Sequence, residues 1–334
     1  NQLLKNYSPT PSYLKWPTGL INLGIFGEIR RTKPDAVILM AWSNPTWWIA
    51  IISAFMSGSP VFYMTDANVQ GEGNKHKLKL RLKKLLLAKF LFRVVTGFLS
   101  AGQSNRMLYR LYGVPDNKII PFAYSWGYDK LADMVENQDV VGPALRDELG
   151  IKNDTKVVLF CGRLSEEKNL FNLLAAYRQL EVSDSALVLV GDGPLMDQLK
   201  KYVSNHDMKS VHFLGFQNRD TVLKHYAIAD VLVLPSIRET WGIVINEAMC
   251  FGVPVITSDR VGAAYDMVDH GINGYIFKVD EVDGLSHALN SFFSLTDEDQ
   301  ALMGTQSLKM IRDWSNRNLA ESLVARLDNG SPRT

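Results

Sequence analysis

A chain of 334 residues is too long for one ordinary hydrophobic core and suits two domains. A hydrophobic fraction of 46%, a charged fraction of 21% and a formal net charge of +1 fit a globular protein with no global pull toward nucleic acid. Two cysteines make no disulfide framework and point to the reducing cytoplasm, and no run of about 18 apolar residues occurs, so no membrane-spanning helix is predicted.

The first half offers strand candidates at 36–40, 61–64, 98–101 and 118–121, and helix candidates at 42–56 and 75–95. Four strands make a thin doubly wound domain, so part of it is expected to be missing. Residues 124–150 are polar and mixed. The boundary is expected there, with 1–127 as the first domain, 128–150 as a linker, and a short helix over 143–149 opened by Pro143. From 151 to 310, apolar β-rich runs at 156–161, 186–190, 211–214, 231–234, 253–257 and 275–277 alternate with helix-period stretches at 170–180, 196–203, 219–227 and 243–251. Continuously apolar strands joined by helices predict an α/β domain with a parallel sheet covered on both faces. Ligands bind such sheets beyond the carboxyl ends of the strands. Cys161, in a strand run, and Cys250, in a helix run, read as small buried hydrophobes. The final segment, 311–334, is expected to hold an amphipathic helix over 315–327 that packs back toward the first domain.

The chemistry-bearing residues follow the strands. After the run ending at Leu234, a loop carries Glu239 and a helix begins near Gly242. The first amides of that helix, at Ile243 and Val244, have no internal partner, and with the helix dipole they form a site suited to a diphosphate. Gly242 permits close approach of a ligand to the backbone. Glu247 lies about a turn and a half along the helix, so it reaches a different part of a ligand from Glu239. After the run ending at Cys161 come Gly162, Arg163 and Lys168, two cations able to neutralise phosphate, or else to pair with Glu166 and Glu167. Gly191-Asp-Gly193 follows a third strand and precedes Pro194 at a helix start; it lacks the third glycine of a dinucleotide fingerprint. Phe216, after the 211–214 run, either flanks a nucleobase or packs.

Gly162-Arg163, Lys168, Val190-Gly-Asp-Gly-Pro194, Gly215-Phe216, Pro235-Ser236, the pair Glu239 and Glu247, and Gly252-Val-Pro-Val255 occur in this order. The series resembles glycosyltransferase family 4, of the GT-B fold, over about residues 150–330. The resemblance implies two facing Rossmann-like domains with parallel sheets. It implies a nucleotide-sugar donor held mainly by the second domain, with Arg163 and Lys168 on the diphosphate, Glu239 on the donor sugar and Glu247 on the ribose. It also implies retention of anomeric configuration. Trp241 stands where the family commonly has Phe, and Gly262-Ala263-Ala264 with Asp266 stands where it has a glycine pair followed by Glu. The segment Leu4 to Ser12 resembles one that bacterial members carry well after their first strand, so the opening strand and its glycine-rich loop are expected to be absent, which implies a truncated first domain.

Asp66, just past the 61–64 strand, either acts on the acceptor and on positive charge at the sugar, or caps a turn. Between 73 and 115 there are ten Lys/Arg and no Asp or Glu. Over 75–93 leucines and lysines follow helical spacing, as for a face lying on an anionic bilayer or for leucines packed on the sheet with solvated lysines. Asp297-Glu-Asp299 reads as the acidic first turn of a helix, and no metal site or other cofactor is expected. The expected activity is metal-independent transfer of a sugar from a nucleotide-diphosphate donor to a sugar or lipid-linked acceptor, in the cytoplasm or on the inner membrane face. The alternatives are another GT-B enzyme, such as an epimerase or phosphorylase, and a non-catalytic donor-binding homologue.

Overall fold

The computed structural model describes residues 5–8, 19–40, 44–69, 92–122, 131, 135–182, 184–281 and 283–315, with 317, 320, 321, 324 and 325. Most of the 75–93 stretch, the 4–12 segment and the 315–327 helix candidate lie outside them. The chain divides into two compact units, Asn1–Phe122 and Ala123–Thr334, each with its own sheet.

The first unit runs α1 (Gly24–Thr32), β1 (Val37–Leu39), α2 (Pro45–Ser57), β2 (Val61–Met64), β3 (Gly97–Ser100), α3 (Gln103–Tyr112) and β4 (Ile119–Pro121). All four strands are parallel in the order β1-β2-β3-β4. Right-handed crossovers in one direction put α2 and α3 on one face. There Ala50, Ile51, Ala54, Leu108 and Tyr109 bury Leu39, Val61, Tyr63 and Phe98. Pro45 opens α2, and Gly58, in the left-handed region at φ 71°, closes it. The sequence did not announce α1. Gly24 and Gly27 weaken its intrinsic signal by about 1 kcal/mol each, and packing restores it: Ile29 is buried, and Ser53 Oγ on α2 donates to the Phe26 carbonyl at 2.7 Å.

The second unit runs α4 (Gln138–Leu149), β5 (Lys156–Cys161), α5 (Leu170–Arg178), β6 (Ser185–Val190), α6 (Met196–Asn205), β7 (Val211–Gly215), α7 (Arg219–Tyr226), β8 (Val231–Leu234), α8 (Ile243–Cys250), β9 (Val255–Ser258), α9 (Ala264–Met267), β10 (Gly274–Phe277), α10 (Gly284–Phe293) and α11 (Asp297–Arg312). The sheet is parallel throughout, in the order β10-β9-β8-β5-β6-β7. Val157 to Phe160 in β5 are fully buried, each contributing about 1.5–3 kcal/mol of burial. Pro143 does not open a helix: α4 begins five residues earlier, with Pro143 inside it. The turn ahead of the proline is secured by packing on α7, where a Cβ on Gly142 would lie 2.9 Å from the Ala227 carbonyl oxygen. At Asp297, α11 starts as the acidic triplet indicates, with Thr296 Oγ1 accepting from the Asp299 amide at 3.1 Å.

The strand order reverses at β5, which lies between β6 and β8. Chains leaving β5 and β8 turn to opposite sides there and leave a crevice at their carboxyl ends. The loops after β5, β6 and β8 meet at that point.

Candidate functional site

Glycines knit the first two loops together. Gly191, with φ 138°, follows β6, and a Cβ on it would lie 1.9 Å from the Gly162 carbonyl oxygen. A Cβ on Gly193 would lie 2.3 Å from the Leu164 carbonyl oxygen. In that gap the Leu164 amide donates to the Asp192 carbonyl and the Leu195 amide to the Leu164 carbonyl, at 2.9 and 3.0 Å. The glycine turn thus has a packing role. The loop after β5 lies flat on it and is held in one course.

That course carries Arg163, exposed, and Lys168, half-buried at the end of a 3-10 turn, Glu166–Lys168. The Ile237 amide, from the loop after β8, donates to the Glu167 carbonyl at 2.9 Å and ties the two loops together. Lys168 Nζ forms an ion pair and hydrogen bond with Glu239 Oε2; their side chains are 15 and 18% exposed. The partner of Lys168 is therefore 71 residues away, not the neighbouring Glu166 or Glu167. Glu239 is held in turn by the Gly262 amide, which donates to its carbonyl at 3.1 Å.

Gly242 caps α8 in the left-handed region, φ 94°. A Cβ there would meet Leu234 Cδ2 and Val261 Cγ1 at 2.9 Å, and Glu239 Cγ at 3.5 Å. The carboxylate paired to Lys168 therefore stands at the amino end of α8, where the first-turn amides of Ile243 and Val244 have no intrahelical acceptor. A cavity of about 450 Å³ opens beside them, lined by Gly162, Arg163, Gly191, Phe216 and Val244, with Cys161 on its inner wall. Phe216, 81% exposed, stands at its rim. Burial pushes the Cys161 thiol well up from its ordinary range, so it is a wall, not a nucleophile.

Glu247 is buried, one turn past Val244. Tyr226, itself 1% exposed, donates its hydroxyl to Glu247 Oε2 at 2.9 Å, and Arg219 Nε lies 3.8 Å from Oε1. Burial raises the Glu247 pKa, while the Tyr226 hydrogen bond and the Arg219 charge pull it back down. Neither partner was legible in the sequence, where Arg219 and Tyr226 are ordinary ends of a helix. Trp241 is buried, donates to Asn246 Oδ1 at 2.8 Å and stacks near Trp314. Asp66 belongs to the first unit: it is exposed past β2, between Thr65 and Ala67, whose carbonyls accept from Asn105 Nδ2.

The comparisons with known proteins accord with this geometry. The chain is 32% identical over 181 residues to the uncharacterized glycosyltransferase MJ1607 of Methanocaldococcus jannaschii; the alignment covers 54% of this chain and 46% of that protein, so the chain spans less than half of that relative. It is 28% identical over 278 residues to the UDP-Gal:alpha-D-GlcNAc-diphosphoundecaprenol alpha-1,3-galactosyltransferase of Escherichia coli, covering 80% and 68% of the two chains. Among solved structures, Anabaena Alr3699/HepE in complex with UDP superposes with a TM-score of 0.74 at 20% identity, over 91% of this chain and 82% of that one. The likeness shows a shared GT-B fold. A sequence profile described as glycosyl transferases group 1 matches residues 142–309. Those residues make up half of the chain and include the whole cavity and the Lys168–Glu239 pair, and on that match this protein belongs to the glycosyl transferases group 1 family.

Proposed function

We propose that this protein transfers a hexosyl group from a nucleoside-diphosphate sugar to an acceptor hydroxyl with retention of configuration, as its resemblance to family 4 implies. The observation that carries the reading is the Lys168–Glu239 pair at the amino end of α8, beside a cavity that also takes in Arg163 and Val244. A diphosphate at this point meets two cations and the helix-start amides. Glu239 meets the sugar hydroxyls. Glu247 accepts from the ribose, and Phe216 flanks the base. A uridine donor is favoured by the UDP bound in the Anabaena structure and by the UDP-Gal in the E. coli relative's name.

As the bond between the anomeric carbon and the diphosphate oxygen breaks, that oxygen gains negative charge. Arg163, Lys168 and the amides of Ile243 and Val244 stabilise it, doing the electrostatic work assigned elsewhere to a metal ion. The acceptor oxygen forms its bond to the anomeric carbon on the departing side, and the leaving phosphate oxygen takes the acceptor's proton. Asp66 is assigned to the acceptor. We assign the acceptor to lipid-linked sugars, by analogy with the diphosphoundecaprenol in the E. coli relative's name, and the 75–93 stretch to the anionic surface that carries them. Two buried free thiols suit the cytoplasm.

Calorimetric titration with UDP, GDP and ADP tests the site. Arg163→Ala removes a charge-assisted contact of about 1.5–3 kcal/mol and is expected to weaken the preferred nucleotide about 10- to 150-fold, and Lys168→Ala, whose phosphate contact needs the sugar to release Glu239, is expected to weaken the complete nucleotide sugar by a similar factor. Unchanged affinity in both variants overturns the reading. Release of an altered sugar from the donor without any acceptor assigns an epimerase instead.

A further inference from the structure

Helix α7 carries Arg219, Val222 and Tyr226 at spacings of three and then four residues, which puts them on one stripe. That stripe faces α8. The Arg219 side chain is 41% exposed, Val222 lines the cavity, and Tyr226 is buried. The stripe thus runs from solvent, along the cavity wall, into the interior. On α8, Val244 and Glu247 share a face one turn apart, and Val244 also lines the cavity. Glu247 sits where the two stripes meet, just behind the cavity wall.

The two ends of the α7 stripe address the two oxygens of this carboxylate. Tyr226 donates to Oε2 at 2.9 Å, and Arg219 Nε lies 3.8 Å from Oε1. The second distance is longer than a hydrogen bond, so Arg219 attracts Oε1 without filling it. Among the described residues nothing else donates to Oε1. The Tyr226 hydroxyl also bonds with the Cys161 thiol. Tyrosine has one proton and gives it to the carboxylate, so the thiol is the donor in that second bond. Cys161, Tyr226 and Glu247 then form a chain whose protons all point toward the carboxylate, and each bond strengthens the next. A buried acid that served packing alone would have both oxygens satisfied. This one is held by Oε2 and keeps Oε1 for a further donor.

We propose that Tyr226 and Arg219 are positioning residues for ribose recognition: by anchoring Oε2 and steering Oε1 they set Glu247 to accept from a ribose hydroxyl, and so make the pocket select ribonucleotide over deoxyribonucleotide donors. The inference rests on the assignment of Glu247 to the ribose, and the experiment separates the two. A deoxynucleotide covers Oε1 without supplying a donor, so the cost of an unpaired buried acceptor falls on the analogue alone. Without the Tyr226 hydroxyl the carboxylate is free to turn, and without the Arg219 charge Oε1 loses its direction. Either change lowers the penalty that the analogue meets and the gain that the ribose makes.

The test is calorimetric titration of the full chain with whichever of UDP, GDP and ADP binds tightest, and with its 2′-deoxy and 3′-deoxy forms, below the melting transition of each variant. The wild type is expected to prefer the ribonucleotide over at least one deoxy form by about tenfold or more. Tyr226→Phe and Arg219→Gln are each expected to compress that ratio to less than about threefold, and Arg219→Lys, which keeps the charge, is expected to retain it. Arg219 is exposed enough for its variants to fold even if Tyr226→Phe does not. An unchanged ratio in either folded variant, including an equal loss of affinity for ribo- and deoxynucleotide, assigns that side chain to packing and overturns the proposal. A wild type that does not discriminate, or discrimination that survives Glu247→Ala, overturns the ribose assignment and this inference with it.

Discussion

Tyr226→Phe removes one buried oxygen, which donates to the Glu247 carboxylate and also hydrogen-bonds with the Cys161 thiol, so its effect is worked mainly from the first of these contacts. Tyr226 is 1% exposed and donates to Glu247 Oε2 at 2.9 Å. Without the hydroxyl, a carboxylate oxygen remains buried, with Arg219 Nε at 3.8 Å from the other oxygen. Leaving a buried acceptor without its donor costs about 1–3 kcal/mol. For a unit of this size that corresponds to a fall of about 2–12 °C in melting temperature. The pH dependence gives the signature. Burial raises the folded-state pKa of Glu247, so between its unfolded and folded values the native state binds more protons, and stability falls as pH rises through that window. Removing the hydroxyl takes away a group that lowers this pKa, which extends the loss to higher pH. The deficit of the variant is therefore expected to be small at the acid end, where Glu247 is protonated in both proteins, and full at neutral pH. Thermal melts across that range, repeated in a Glu247→Gln background, check it. A deficit independent of pH, or one undiminished by Glu247→Gln, would show that the hydroxyl acts by packing alone and refute the coupling.

Three further outcomes follow from the site. Glu239→Gln keeps the shape but not the charge that faces Lys168, and acceptor-dependent turnover is expected to fall about a hundredfold or more, read by nucleotide release. Gly191→Ala places a Cβ 1.9 Å from the Gly162 carbonyl at a φ of 138°; backbone must move, so a loss of at least about 2 kcal/mol and weakened nucleotide binding are expected by melting and calorimetry. Asp66→Asn is expected to lower turnover about tenfold while leaving nucleotide affinity unchanged, which separates an acceptor role from a turn cap.

Much of the fold was legible because parallel strands buried on both faces write themselves as unbroken apolar runs. The runs at 156–161 and 231–234 coincide with β5 and β8. Errors fell where hydrogen bonding, not hydropathy, sets the limit. The run from 253 extends too early, since Pro254 has no N–H to give and β9 starts at Val255. α1 was missed because its glycines hide a helix that tertiary contacts hold. In the site, the sequence marked Arg163, Lys168, Glu239 and Glu247 as chemistry-bearing. It could not reveal which charge met which. The Lys168–Glu239 pair, the Tyr226–Glu247 link and the collision that makes Gly191 a glycine all join residues far apart in the chain.

The Lys168–Glu239 bond has a consequence for turnover. With Lys168 paired to Glu239, an arriving phosphate is not a simple gain; the donor must trade for Lys168, and Glu239 is the incumbent. On the proposed chemistry a complete donor compensates that carboxylate with sugar hydroxyls, whereas the spent nucleotide, stripped of its sugar, has nothing to offer it. Glu239 then reclaims the lysine. On that chemistry, the same bond that makes entry an exchange also favours departure of the spent nucleotide.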